Sequence, residues 1–291
     1  MDGYFKKAPL LYVTATIRTS EIPGFGDNKF ENELLEAMIV QGLPIKEDSR
    51  ISTVKLQLNH DNTSTEKKDY PRRGFLSTDR QQCLVLSADG VIEYRDTNYH
   101  KFNRFLPRMM GLIEALCAVK PAYTNLAVHE ILLNYSDTIV PHSGRTLQDY
   151  LKPTSLLPLN NIIAEDGGND VQQSGMAAFN RVITPNLMLS VSMEQVPLSG
   201  GKVSQWLPKD LIEVDPRLSM PITIKGPTEN ADATHYGLLS TKGAHRINRS
   251  LKDAGIAGVL DLLHSKINGT FESLLNWEIC RLDWEYVEED R

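Results

Sequence analysis

The chain contains few of the cysteines that mark disulfide-rich or metal-binding proteins. Its 291 residues include only three, Cys83, Cys117 and Cys280. They are far apart in the sequence and lack the paired spacing of a zinc or redox motif. Free thiols in a reducing compartment are therefore expected, and no disulfide framework is predicted.

Long hydrophobic runs are missing as well. The apolar run near the N-terminus extends only from Ala8 to Val13, which is too short for the core of a secretory signal. The sequence offers no window of about 18 apolar residues, the length that a membrane-spanning helix needs. These patterns predict a cytoplasmic protein that has no contact with the membrane.

The chain also lacks an excess of positive charge. Lysine and arginine total 31 against 37 aspartates and glutamates, so the net charge is −6 and the pI is about 5.7. This balance argues against a dedicated nucleic-acid binder but leaves room for a local basic groove. A hydrophobic content of 41% and a charged content of 23% are typical of an ordinary globular protein.

Catalytic and cofactor motifs are incomplete. The segment 199–202 reads Ser-Gly-Gly-Lys but lacks the glycine spacing of a phosphate-binding loop. His129 and Glu130 begin a metalloprotease-like motif, but Leu133 stands where the second histidine belongs. The acidic run 165–170 does not follow the ligand order of a calcium loop. We therefore predict no catalytic residue, no cofactor and no metal, and a non-enzyme is favoured over an enzyme.

Hydrophobic periodicity predicts two long helices. The longer one is expected from Ser250 to Asn276, with Ser250 and Asp253 forming a capping box at its start. The second is expected over residues 98–118, where Pro107 should cause a kink or a fresh start. The apolar stripe of the longer helix comprises Ile256, Leu260, Leu263, Ile267, Phe271 and Leu274.

Strand patterns fill most of the remaining sequence. Runs of neighbouring strands followed by single helices predict an α+β fold with a largely antiparallel sheet, on which the two long amphipathic helices pack. The chain is expected to form a single domain, and a degenerate duplication into lobes 1–150 and 151–291 is a further hypothesis. Strands are predicted at 8–19, 51–58, 74–77, 82–87, 91–95, 126–133, 177–183, 187–196, 221–225 and 236–240, a short helix at 31–41 and a loop at 59–73.

Three segments carry a family resemblance. They are the opening strand 8–18, the stretch 83–105 with Tyr99 before an aromatic-rich helix, and the stretch 262–275 with His264. Together they resemble an uncharacterised bacterial family described as "sporadically distributed". The resemblance implies a bacterial protein encoded in mobile loci, such as defence- or toxin-linked systems, and it implies no agreed activity.

The chain departs from that family at two places. Members usually carry an acidic residue in the first strand, where this chain has Tyr12. They also carry an Arg-Tyr pair with a nearby asparagine in the mid-chain strand, where this chain has Asn134 and Tyr135 without the arginine. If the pair is functional in the family, this chain lacks that function.

The leading functional hypothesis is a non-enzymatic protein-binding or regulatory component of a bacterial system. It depends on an aromatic-rich C-terminal segment, because tryptophan and tyrosine are favoured interface anchors. The same aromatic residues could instead pack on the core. The candidate contacts to a partner protein are Trp277, Leu282, Trp284 and Tyr286.

Two alternatives remain. A nucleic-acid-binding protein could use two basic groups and the interleaved Tyr70, although a solvated loop and a polar helix face explain the same residues. An unrecognised hydrolase or nuclease could use scattered His, Asp and Glu side chains, but His264 is expected to hydrogen-bond the sheet instead of a ligand. The candidate basic residues are Lys67, Lys68, Arg72 and Arg73, and then Lys101, Arg104 and Arg108.

Overall fold

A computed structural model describes residues 3–58, 63–152 and 175–288 of the chain. The strands within these ranges are β1 (Gly3–Phe5), β2 (Leu10–Thr19), β3 (Ile45–Leu58), β4 (Thr63–Leu76), β5 (Gln82–Ser87), β6 (Val91–Asp96), β7 (Ala127–Ile139), β8 (Gly175–Thr184), β9 (Leu187–Pro197), β10 (His235–Ser250) and β11 (Tyr286–Glu288). The α-helices are α1 (Asn28–Val40), α2 (Phe102–Val119), α3 (Ile256–Leu274) and α4 (Trp277–Asp283).

Nine of the strands form one antiparallel sheet in the order β3-β4-β5-β6-β2-β7-β10-β9-β8. Strands β7 and β10, which come from the two halves of the sequence, pair side by side from Gly237 and Ile139 to Ser250 and Ala127. The first and last strands, β1 and β11, pair separately and are called here the terminal ribbon. The predicted α+β class with an antiparallel sheet is confirmed, while the duplication stays a hypothesis.

Helices α2 and α3 cover one face of the sheet with the stripes that the sequence predicts. Five of the six stripe residues of α3 are buried: Ile256, Leu260, Leu263, Ile267 and Leu274. Gly243 of β10 lets α3 approach closely, because a Cβ atom there would lie 2.9 Å from Cδ2 of Leu263. Within the described ranges, no helix is long and apolar enough to cross a membrane.

The start of the C-terminal helix was predicted too early. Strand β10 continues to Ser250, which pairs with Ala127 of β7. Ser250 does hydrogen-bond the Asp253 carboxylate, but this contact closes a 3-10 turn at Leu251–Asp253 and not the helix. Gly255 then adopts a positive φ of 59° directly before α3, a conformation that glycine accepts without steric cost.

The middle helix begins at Phe102 instead of residue 98 and runs unbroken through Pro107. Its start is delayed because the Asp96 carboxylate accepts a hydrogen bond from the Asn98 backbone at 2.8 Å, which closes a turn there. Of the two outcomes expected at Pro107, the fresh start is wrong and the kink stays a prediction. Pro107 falls within the first two turns of α2, where the helix loses only one backbone bond.

The predicted loop at 59–73 is also wrong for residues 63–73. These residues belong to β4, which pairs with β3 from Ile45 and Leu76 to Leu58 and Thr63. The hairpin of β3 and β4 lies at one edge of the sheet. Charged residues are common at a sheet edge, where they prevent further pairing. The polar sequence of residues 63–73 therefore resembles a loop although it forms a strand. Two other predictions differ: residues 221–225 form no strand, and the acidic run 165–170 lies outside the described residues.

The long segment 198–234 covers the face of the sheet opposite the helices. Leu218 of this segment is fully buried and packs with Leu76, Cys83 and Val85. Gly74 of β4 makes room for it, since a Cβ atom there would lie 2.1 Å from the Leu218 side chain. Both faces of the central strands are therefore enclosed, which explains why polar residues of β7 are buried.

Candidate functional site

A cleft of about 1030 Å³ opens on the helix face of the sheet. Its floor is formed by β7 and β10, one side by the start of α2 and the middle of α3, and the other side by the terminal ribbon. The aromatic and aliphatic side chains on its walls are Phe5, Phe102, Ile267, Phe271 and Trp277. The cleft is at the upper end of the ~300–1,000 Å³ range of ligand sites in proteins.

Three polar side chains form the floor of the cleft. Tyr135 of β7 stands directly opposite Thr241 of β10 in the antiparallel register. Asp137 is two residues further along β7, and side chains two apart on a strand point to the same face. All three line the cleft, and we call them the floor triad.

Asp137 is the most unusual member of the floor triad. Its side chain is nearly inaccessible, with the residue 3% exposed, and no hydrogen bond or ion pair to its carboxyl group exists among the described residues. Burial raises the pKa of Asp137 to about 8, because removing water disfavours the charged form. Asp137 is therefore mostly protonated and uncharged at neutral pH.

Thr241 is fully buried, and its Oγ1 atom has no hydrogen-bond partner among the described residues. Buried polar groups are nearly always hydrogen-bonded in native proteins. Leaving one without a partner costs about 1–3 kcal/mol. Thr241 and Asp137 thus place two unpaired polar groups side by side on the cleft floor.

Tyr135 belongs to a continuous hydrogen-bond chain. Its hydroxyl lies 2.8 Å from Nδ1 of His264 and 3.4 Å from the Tyr99 hydroxyl, while Asn268 Nδ2 lies 3.2 Å from His264 Nε2. Because the amide nitrogen of Asn268 can only donate, Nε2 accepts and Nδ1 carries the hydrogen that is donated to Tyr135. The hydrogen bond that we predicted from His264 to the sheet is present.

Packing also fixes the orientation of the His264 ring within these hydrogen bonds. The ring stacks on Phe102 of α2 with centroids 4.0 Å apart and an interplanar angle of 10°. Burial lowers the pKa of His264 to about 4, so the imidazole is neutral at neutral pH. Burial likewise raises the pKa of Tyr135 well above its usual value, so this hydroxyl keeps its proton.

Basic side chains outnumber acidic ones around the mouth of the cleft, which Glu272 also lines. Lys6 and Arg104 are exposed there, and Lys101 places Nζ 5.2 Å from the centre of the Tyr4 ring. Lys225 reaches in from the segment on the other face and donates to the Tyr99 carbonyl at 3.3 Å. The cleft thus combines an unpaired carboxyl group at its floor, apolar walls and cations at its mouth.

The structure separates the four residues that we predicted as partner contacts. Trp277 and Tyr286 line the cleft, and Trp277 stacks on Phe5 with ring centroids 5.5 Å apart. Trp284 is 2% exposed and packs inside the core against Tyr150. Leu282 is 69% exposed on α4 and has the most accessible side chain of the four.

Two of the predicted nucleic-acid contacts make internal ion pairs. Arg72 donates two hydrogen bonds to Glu213, at 2.9 and 2.8 Å, and Arg73 donates to Glu31 at 2.8 Å. Arg95 donates to the same Glu213 at 2.7 Å. The charges of Arg72 and Arg73 are therefore paired with carboxylates of the protein itself, which makes both residues poor candidates for binding phosphate.

The other basic candidates lie in three places. Lys67 and Lys68 are exposed on β4, where Lys68 also pairs with Glu21 at 2.9 Å. Lys101 and Arg104 lie at the cleft mouth. Arg108 donates to the backbone carbonyl of Gln41 at the end of α1, so its main contact is structural.

The floor triad was missed by sequence reasoning. The strand was predicted to end at Leu133, whereas β7 continues to Ile139 and thereby includes Tyr135 and Asp137. The alternation of Tyr135, Asp137 and Ile139 was the signal that the strand continues beyond Leu133. It also places an acidic residue on the same strand face as Tyr135 and Ile139. Thr241 had no such signal, because its predicted strand ended at Ser240.

Among the residues that the structure describes, no three His, Cys, Asp or Glu side chains are grouped so that they could hold a metal ion. No protein-family model, curated protein or solved structure matches the chain. The resemblance to the sporadically distributed family therefore stays an expectation from the sequence.

Proposed function

We propose that the chain is a non-enzymatic binding protein and that the cleft over β7 and β10 is its binding site. The observation that carries this proposal is the pair Asp137 and Thr241, two buried polar groups without partners that face a cleft of about 1030 Å³. Their desolvation is a standing cost to the folded state. A ligand that hydrogen-bonds both groups offsets this cost.

The ionisation states in the cleft favour binding over catalysis. A general base works best when its pKa lies near the operating pH, but the pKa of His264 is about 4 and both of its nitrogens are already hydrogen-bonded. Asp137 does have a pKa near neutrality, yet no nucleophile in the described residues is hydrogen-bonded to it. A hydrolase or nuclease therefore has less support than a binding protein.

The position of the cleft also supports a regulatory role. Trp277 and Tyr286 belong to the cleft wall, while Leu282 on the intervening helix α4 faces solvent. A ligand that contacts the wall residues can therefore shift the helix that carries the exposed leucine. We propose that ligand occupancy controls binding of a protein partner to this C-terminal segment in a bacterial, defence- or toxin-linked system.

A cleft-blocking variant tests the binding function. Asn268→Trp places an indole at an exposed position of the cleft wall, and Lys266→Trp is the matched control on the outer side of the same helix. In a thermal-shift screen of a metabolite library, we expect a ligand that raises the Tm of the native chain and of Lys266→Trp but not of Asn268→Trp. If no compound stabilises the native chain and none co-purifies with it from its host, the proposal is wrong.

Nucleic-acid binding is the second candidate function. The observation in its favour is that Lys67 and Lys68 are exposed on β4 beside Tyr70, whose ring lies 4.5 Å from the Lys68 ammonium. Such binding would weaken with salt, and replacing Lys67 and Lys68 by alanine would reduce the salt dependence. Absence of binding to single- or double-stranded DNA and RNA at low salt would exclude this function.

A further inference from the structure

We infer that the cleft binds an amphipathic zwitterion: a primary ammonium at the floor triad, an apolar body along the aromatic walls and an anionic group at the basic mouth. This inference rests on the proposed binding function and names the chemical class of its ligand. It is carried by the arrangement of acceptors at the floor and by the opposite charge at the mouth.

The three acceptors of the floor triad come from two paired strands and line the same cleft. Directly opposite residues in an antiparallel pair, such as Tyr135 and Thr241, have Cβ atoms about 5 Å apart, and Asp137 lies roughly 7 Å along the strand. We place the ammonium group of the ligand in this part of the cleft, where hydrogen bonds of about 2.8 Å would join it to the acceptors of the floor triad.

The acceptors also match an ammonium in number. A primary ammonium has three N–H donors and no acceptor. Thr241 Oγ1 has no hydrogen-bond partner among the described residues, and burial, with no hydrogen bond beside it, raises the pKa of Asp137. The Tyr135 hydroxyl accepts from His264 and lies 3.4 Å from the Tyr99 hydroxyl, where either oxygen can donate; when Tyr135 donates, it keeps one free lone pair.

Charge favours the same orientation. The acid on the floor of the cleft is Asp137, which is neutral when no cation is bound. A bound ammonium can replace its proton and form an ion pair with the carboxylate. Lys6 and Arg104 at the mouth are exposed cations that repel a simple amine and attract an anion. A ligand with its two charges at opposite ends satisfies both regions.

Titratable side chains from several elements face Asp137 across the cleft. Burial is the cause of the raised pKa of Asp137. The titratable and charged side chains that line the cleft with it are Tyr4, Lys6, Tyr99, His100, Lys101, Arg104, Tyr135, Lys225, His264, Glu272 and Tyr286.

The test uses four probes of equal chain length: ω-aminooctanoate, its N-acetyl derivative, octylamine and octanoate. Isothermal titration of the full chain should show tightest binding for ω-aminooctanoate, at least tenfold weaker binding for octylamine, and no binding for the N-acetyl derivative or octanoate. Binding should also release a proton from Asp137 at pH 7, so the measured heat will differ between phosphate and Tris buffers.

Three variants assign the effect to the floor triad. Asp137→Asn should weaken ω-aminooctanoate at least tenfold and abolish the proton release, and Thr241→Val should weaken it without abolishing the release. Glu114→Gln removes an exposed acid of α2 outside the cleft and should change nothing. If Asp137→Asn does not fold, Thr241→Val and the probe series still decide the outcome.

Several results would overturn the inference. Octanoate binding as tightly as ω-aminooctanoate would show an anion site, and stabilisation by NaCl or KCl at millimolar concentration would show an inorganic-cation site. Failure of all four probes, while a library ligand binds and is blocked by Asn268→Trp, would exclude the zwitterion class and leave the binding function standing. Failure of the probes and of the whole library would remove both.

Discussion

The Tyr135 hydroxyl of β7 and His264 Nδ1 of α3 lie 2.8 Å apart and join the sheet to the helix layer at the floor of the cleft. This contact fixes the orientation of both side chains, since His264 is also stacked on Phe102. Tyr135 and His264 thereby form one side of the cleft that Asp137 also lines. The geometry of the cleft thus depends on one hydrogen bond between elements that are 129 residues apart in the sequence.

Removing the Tyr135 hydroxyl should destabilise the fold. In Tyr135→Phe, the Nδ1–H group of His264 loses its acceptor, and an unsatisfied buried donor costs about 1–3 kcal/mol. Urea unfolding should show a decrease of that size in the free energy of unfolding. Tyr286→Phe, whose hydroxyl makes no hydrogen bond within the described residues, is the control and should change little. Equal losses in both variants would contradict the structural role of the Tyr135–His264 contact.

The protonation of Asp137 predicts how stability depends on pH. Its pKa is about 8 in the folded state but ~3.9 in an unfolded chain. Between these values the folded state holds a proton that the unfolded state has released, so this group makes the free energy of unfolding fall as pH rises, by up to about 1.4 kcal/mol per pH unit.

The Asp137→Asn variant isolates this contribution. Asparagine does not titrate, so the variant lacks the loss of stability that Asp137 causes as pH rises. The free energy of unfolding of the variant should therefore increase relative to that of the native chain from pH 4 to pH 8. Urea titrations at intervals of one pH unit measure it. A constant difference across that window would mean that Asp137 titrates alike in both states.

Glu213 should be required to hold the segment 198–234 against the sheet. Its carboxylate pairs with Arg72 and Arg95, and these pairs hold its pKa at about 2 against the opposing effect of burial. Glu213→Gln leaves Arg72 partly buried without a counter-charge, while Arg95 keeps only its pair with Glu93, and the change should cost roughly 3 kcal/mol. Glu229→Gln, an exposed acid of the same segment, should be neutral. Limited proteolysis provides an independent readout, because only Glu213→Gln should expose the segment to cleavage.

Two glycines offer a matched pair for testing how closely α3 packs. In Gly243→Ala the new methyl group would lie 2.9 Å from Leu263 Cδ2, and such overpacking typically costs ~1–3 kcal/mol. In Gly269→Ala on α3 the methyl group meets nothing within 4 Å, and helix propensity should add about 0.5–1 kcal/mol of stability. Thermal unfolding should therefore show Tm shifts of opposite sign. Shifts of the same sign would contradict the close packing of α3 on β10.

The elements that were predicted well are those whose pattern reflects a single buried face. The stripe of α3 and the core residues of α2 show the helical period in the sequence because these helices are apolar on one side only. Errors occurred where local signals had another use. The Ser250–Asp253 contact resembles a helix cap but closes a turn, and the polar residues of β4 conceal an edge hairpin.

The candidate site was much less accessible to sequence reasoning. Trp277 and Tyr286 were selected as aromatic contacts and do line the cleft, but Trp284 from the same segment is buried in the core. Nothing in the sequence distinguishes the three, because each is an aromatic residue in one short segment. Only the packing of Phe5 against Trp277, Trp284 and Tyr286 decides which ring faces the cleft.

The sequence by itself determined the α+β class, the antiparallel strands and the apolar faces of the long helices, because hydrophobic periodicity is a local property that each segment carries on its own. The tertiary structure alone decided that Asp137, Thr241 and His264 meet at one cleft. Their side chains come from β7, β10 and α3, and the pairing register of two distant strands brings them together. Burial then changes their chemistry, since the absence of water and not the residue type makes Asp137 a neutral acid and His264 a neutral base.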